Sequence, residues 1–202
     1  MNLRTMMMAR GESSSELSDR QLVDLCLRGN TQSFAKLYQR HQTRVRSTLY
    51  QLCGAEALDD LVQEVFLRAW KGLSKFRQTA QFSTWLYRIT WNVACDRRKS
   101  FAIGRSRTVS TDDTQLQNIP DKVYDGISSP SLTSLHYQDL VQRGLEQLSH
   151  DHRTVVVLHD LEELPQKEVA EVLDIPVGTV KSRLFHARAA LRQFLELQGV
   201  EV

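Results

Sequence analysis

The chain is sparing with the residues that staple or break a fold. Cysteine occurs three times in 202 residues, as Cys26, Cys53 and Cys95. The three are far apart, odd in number, and form no CxxC or Cys/His group with zinc spacing, so neither a disulfide framework nor a metal site is expected. Reduced thiols in a cytoplasm are the expectation, and Cys95 reads as an inert helical thiol rather than a redox sensor. No apolar run approaches the length that spans a membrane. The opening MNLRTMMMARGESSSE lacks the pattern of a signal peptide, and residues 1–15 read as a mobile tail. There is no P-loop and no identifiable Ser-His-Asp set, so no cofactor and no small-molecule substrate are expected. Strand patterning is also missing: the VVVL run at 155–158 is short and flanked by helix-like segments.

What is present is helix. Hydrophobic residues at 41% and charged residues at 25% are ordinary for a globular chain, and the length allows one domain or two small ones. Ser18 with Gln21 three residues on predicts a capping box, and Gly29 ends the helix that follows. Thr31 is the expected cap of a second helix, in which Phe34, Leu37, Tyr38, Val45, Leu49 and Leu52 recur at helical spacing. A third helix over 57–71 buries Leu58, Leu61, Val62, Val65, Phe66, Trp70 and Leu73, leaving Asp60, Gln63, Glu64 and Leu67 outside. Residues 72–81 read as a loop. The fourth helix, 82–100, has a core stripe of Phe82, Leu86, Ile89 and Val93. Beside it runs Trp85, Arg88, Asn92, Asp96 and Lys99, with Tyr87, Trp91 and Arg98 in a third sector. Interleaved aromatic and basic residues suit single-stranded DNA, whose bases stack on rings while cations meet phosphates. Core packing of the two tryptophans explains them equally well.

From residue 103 to 134 periodicity fails. Ser, Thr, Asp, Gly and two prolines predict a flexible linker between halves that fold separately. Helical spacing returns at Leu135, Leu140, Leu145 and Leu148, followed by a helix over 151–161. Net charge is +2, but its distribution carries more information. Arg88, Arg97, Arg98, Lys99, Arg105 and Arg107 stand against one acid, Asp96; Asp112, Asp113, Asp121, Asp125 and Asp139 stand against Lys122; Lys181, Arg183, Arg188 and Arg192 have no acid among them. Two basic segments with an acidic one between predict two nucleic-acid contacts joined by a linker.

The segment 164–192, LPQKEVAEVLDIPVGTVKSRLFHARAALR, reads as a helix-turn-helix. Its first helix starts near Pro165 and ends at Asp174-Ile175-Pro176, because the residue before a proline avoids the helical region. Thr179 is the expected cap of the second. In that helix Val180, Leu184, Ala187, Leu191 and Leu195 form one apolar stripe. Ser182, Phe185, His186 and Ala189 lie opposite, flanked by Lys181, Arg188 and Arg192. Phe can touch a thymine methyl, Ser a base edge, and Lys or Arg a phosphate.

Three blocks, DDLVQEVFLRAWKGLSKF (59–76), FSTWLYRITWNVACDRR (82–98) and the helix-turn-helix, together resemble the extracytoplasmic-function sigma factors of bacterial RNA polymerase. The resemblance implies an all-α protein of two small helical domains joined by a flexible linker: 1–15 a tail, 16–102 a region 2 domain, 103–134 the linker, and 135–198 a region 4 helix-turn-helix domain. It implies that Asp60, Gln63, Glu64 and Leu67 dock on the β′ clamp helices of core RNA polymerase. Gln78, Thr79, Gln81, Trp85, Arg88, Asn92, Arg97 and Arg98 would open and read the −10 promoter element. Thr179, Lys181, Ser182, Arg183, Phe185, His186 and Arg188 would read the −35 element. The β flap and an anti-sigma factor are further partners that it implies. Many relatives carry arginine where this chain has His186, and a neutral imidazole lacks the bidentate fork that meets guanine. The function implied is promoter selection and −10 melting, driven by binding energy rather than catalysis. A free-standing regulator would instead bind a palindromic duplex alone, and leaves the aromatic-basic interleaving at 82–98 without a purpose. A metal-dependent enzyme would need Asp59, Asp60 and Glu64 as ligands, yet carboxylates on such a helix face are usually only solvated.

Overall fold

Several of the helices begin where a side chain supplies a cap. In this computed structural model, which describes residues 17–107 and 132–200, helix α1 spans Asp19–Leu27. The Ser18 hydroxyl accepts the Gln21 amide at 3.3 Å and the Gln21 side chain accepts the Ser18 amide at 2.8 Å, so the expected capping box is formed. Gly29, at φ +94°, turns the chain left-handed after α1, a region open to glycine without steric cost. Helix α2 spans Thr31–Cys53, and its cap is Asn30, not Thr31. The Asn30 side chain accepts the Ser33 amide at 3.2 Å, and Thr31 is already helical.

Helix α3 (Leu58–Gly72) buries Leu58, Leu61, Val62, Val65, Phe66 and Ala69. Trp70 departs from its expected core place. It is 40% exposed and meets Phe34 only edge-on, at 4.9 Å between centroids. A 3-10 turn, Leu73–Lys75, occupies the start of the segment read as loop. Helix α4 runs Phe82–Arg107, beyond the expected end at Ser100, because one glycine and no proline in 101–107 does not stop a helix. Helix α5 (Leu132–Gln147) begins before 135, shortly after Pro130. The expected linker is therefore shorter at both ends, and its remainder, with the expected tail, lies outside the described residues.

Helix α6 (His150–Val156), capped by Ser149, passes into a π-helical turn, Val157–Leu161. Helix α7 (Gln166–Leu173) follows Pro165 and ends at Asp174 in the left-handed region. Helix α8 spans Val177–Leu197. Thr179 does not cap it: the helix starts two residues earlier, after Pro176, and the Thr179 amide already bonds the Pro176 carbonyl at 2.9 Å. The described residues contain helices and no strand.

Two bundles result. In the first, α2 packs against α1, α3 and α4; in the second, α8 packs against α5, α6 and α7. Gly144 lets α5 approach α8 closely, since a Cβ there would lie 3.1 Å from both Leu191 and Phe194. The bundles meet along a joint, with α4 against α7 and α2 against the π-turn, and the buried residues of both form one cluster. Polar groups bind the joint as well. Glu162 accepts the Tyr87 hydroxyl at 2.7 Å and lies 2.9 Å from that of Thr48, and the Thr84 hydroxyl donates to Glu168. Trp91 of α4 stacks on His150 of α6, 4.9 Å between centroids at 19°.

Candidate nucleic-acid interface

Helix α8 owes its orientation to its apolar stripe. Val180, Leu184 and Ala187 are buried, so the opposite side must face out. Lys181, Ser182, Phe185 and His186 are exposed there, Phe185 at 72%. The His186 ring stands edge-on to Phe185 at 5.4 Å. Arg183, half-buried, and Arg188, exposed, lie one on each flank, and both are engaged. Arg183 donates to Asp151 at 2.6 Å. Arg188 grips Asp160 with two nitrogens, one at 3.1 Å, and those bonds hold its guanidinium pKa above the usual value. Thr179 is half-buried. The structure thus brings four of the seven candidate residues of this helix onto one open face. The neutralising acids lie 28 and 32 residues away in sequence, on other elements, where no spacing rule points to them.

Helix α4 is buried on two sides, by its own bundle and by α7, which leaves one open strip. Arg88 and Asn92 are exposed on it. Trp85 is half-buried beside them: Phe76 stacks on it at 4.8 Å, Phe82 lies at 5.6 Å, and Gly72 lies under the indole, where a Cβ would meet it at 3.3 Å. One indole face is therefore already occupied. Arg97 and Arg98 do not share the strip. Arg97 pairs with Glu56 at 3.2 Å, and Arg98 lies toward the joint near His150. In the loop before α4, Thr79 and Gln81 are exposed. Gln78, at φ +55°, turns its side chain to Asp24 of α1, at 2.7 Å.

On α3, Asp60 and Gln63 are exposed and Leu67 is 46% exposed, an apolar spot among polar ones. Glu64 is committed to Arg68 at 2.6 Å, and Arg68 continues to Asp96 of α4 at 2.7 Å. Titration is perturbed chiefly at the joint. Burial and then Arg98 push the His150 imidazole down to about 4, and its Nε2 is buried with no hydrogen-bond partner. Burial and then Glu162 push the Tyr87 phenol up. Burial drives Cys53 up to about 11 and raises Cys26 and Cys95, which leaves these thiols little thiolate character. Among the described residues no group of three His, Cys, Asp or Glu could hold a metal, and no helix is long and apolar enough to cross a membrane.

Comparison with known proteins gives these surfaces a context. The family model for Sigma-70 region 2 matches residues 37–101, and that for Sigma-70 region 4 matches residues 138–191. The ECF RNA polymerase sigma-E factor of Escherichia coli (strain K12) is 33% identical over 184 residues, 88% of this chain and 94% of that protein. The sigma-E factor of Haemophilus influenzae is 29% identical, over 91% and 98%. Among solved structures, CnrH in complex with the cytosolic domain of CnrY is 26% identical, covers 89% of this chain and 97% of its own, and superposes with a TM-score of 0.63. RpoE of Bartonella quintana, in complex with the anti-sigma factor NepR, shares the fold at 22% identity and a TM-score of 0.60, over 81% and 96%. With both region models matched in order and a third of residues identical across nearly the whole of both chains, the protein belongs to the extracytoplasmic-function sigma factors, which bind core RNA polymerase and promoter DNA to initiate transcription.

Proposed function

We propose that this sigma factor melts the −10 element with the open strip of α4 and reads the −35 element with the outer face of α8. One observation carries the melting step. Arg88 and Asn92 stay exposed, as do Thr79 and Gln81 before the helix, although the second bundle covers the neighbouring side of the same helix. A strip that pairs a cation with an amide can hold a displaced strand by phosphate and base-edge contacts. Trp85 borders this strip and supports it, while stacking on Phe76 already uses part of its ring. Flipping a base costs a few kcal/mol, which such contacts must offset.

Asp60, Gln63 and Leu67 form the surface we assign to the β′ clamp helices, with Glu64 reaching it only by leaving Arg68. The β flap is assigned to the second bundle. The reading places the chain in the cytoplasm with the polymerase, gives it no catalytic step, and includes an anti-sigma partner of the kind NepR is for RpoE.

The test is transcription in vitro with core polymerase. Asn92→Ala is expected to impair open-complex formation on an intact promoter more than initial binding. A template with a pre-melted bubble is expected to restore most of the loss. Equal impairment on both templates would mean that Asn92 serves folding or docking.

A further inference from the structure

We propose that Asp151 and Asp160 set the DNA affinity of α8 by occupying Arg183 and Arg188, so that at each flank a phosphate has to displace a carboxylate. The inference rests on the reading that α8 contacts duplex DNA. Helix α8 itself carries no acid from Val177 to Leu195, yet two of its four cations are neutralised from outside. Asp151 comes from the first turn of α6 and Asp160 from the π-turn. Lys181 and Arg192 have no acidic partner among the described residues and remain available.

The geometry is that of a phosphate contact already filled. Arg188 presents Nε and Nη2 together to the two oxygens of Asp160, the fork with which guanidinium meets carboxylate and phosphate alike. Each pair has one half-exposed partner, while Arg183 and Asp160 are each 28% exposed. The Arg188 side chain is 53% exposed and that of Asp151 is likewise 53%. Ion pairs this exposed contribute little to stability. They are therefore readily exchanged, and bracing α8 is a poor account of them, because the buried Val180, Leu184 and Ala187 already hold the helix. When DNA takes an arginine, the released carboxylate stays beside the phosphate and opposes it. Removing that negative charge must favour binding at every sequence equally, because phosphates carry no base identity.

The probe is a duplex of arbitrary sequence, titrated by fluorescence anisotropy against the full chain at about 50 and about 200 mM salt. Asp160→Asn and Asp151→Asn are each expected to bind several-fold tighter at low salt. Each is expected to steepen the logarithmic salt slope by about 0.9, an extra three- to fourfold loss across that range per freed arginine. Asp160→Glu, which keeps the charge, is expected to stay near the original affinity. Thermal midpoints show that each variant compared is folded. If folded Asp→Asn variants bind equally or more weakly, the acids brace or aim the arginines and the proposal is overturned. Lys181→Ala separates the two levels. If it leaves duplex affinity unchanged, the assignment of α8 to DNA fails; if it weakens binding while the Asp variants are neutral, only the present inference fails.

Discussion

Phe185 is a large ring left 72% in water, on a helix that carries no acid from Val177 to Leu195. Its side chain adds little to folding, because stabilisation follows the apolar area removed from solvent. Truncation therefore separates function from fold. We expect Phe185→Ala to leave the free energy of unfolding within about 0.5 kcal/mol of the original. It should relax base preference at one −35 position by about 1 kcal/mol, the loss of an apolar contact such as one to a thymine methyl. Holoenzyme binding to a library of −35 sequences measures this. Unaltered preference would remove Phe185 from the reading set. His186 adjoins it on the same face, so the two side chains are expected to couple, and their effects should be measured together as well as singly.

At the scale of elements, Leu184 is the counterpart of Phe185, buried at the centre of the α8 stripe. Leu184→Ala is expected to cost about 2–5 kcal/mol through lost burial and the cavity left behind, read from urea unfolding. Such stripes were the legible part of the chain. Three- and four-residue spacing located every helix of the first bundle and the helix-turn-helix, and the Ser18–Gln21 box was visible because its partners are three residues apart. Boundaries were less legible. Asn30 and Thr31 are both good caps by residue type, and only the backbone decides which is outside the helix. Residues 101–107 carry no proline, yet Gly104 and the absence of any apolar residue after Ile103 gave no reason to continue α4 through them. Trp70 falls on the core side by count, but the stripe is already filled there by Ala69 and Phe66, and the indole is left at its edge. The candidate site divided likewise. Exposure of Lys181, Ser182, Phe185 and His186 followed from the stripe opposite, whereas the pairing of Arg97, Arg183 and Arg188 depends on acids remote in sequence.

At the scale of the molecule, the joint is the feature that no spacing announces, since Glu162 and His150 look like ordinary surface residues on paper. It has a definite pH dependence. His150 titrates near 4 while stacked in the joint and near its ordinary value of 6.5 when released. Above 6.5 both arrangements hold it neutral and the joint is at full strength. As pH falls from 6.5 toward 4, the released form gains a proton that the closed form refuses, and the joint weakens. We expect the radius of gyration, from small-angle scattering, to rise over that window. His150→Phe keeps a ring against Trp91 without a titrating group and should flatten the response. A rise that persists unchanged in that variant would assign the titration to another group. Promoter elements near −10 and −35 lie about two and a half turns of duplex apart, roughly 85 Å. On the proposed reading of both elements at once, the joint is expected to open, and Glu162 would then part from Tyr87 and Thr48 together.

The first turn of α6 places three consecutive side chains against different parts of the chain. His150 meets Trp91 of α4, Asp151 meets Arg183 of α8, and His152 lies 6.4 Å from His186. One turn of helix is therefore a shared boundary between the joint and the α8 face proposed to read DNA. Linkage makes the traffic across it mutual. Whatever free energy opening contributes to duplex binding, the duplex returns in full to opening, so on the proposed reading a promoter is expected to act as an effector of this protein as well.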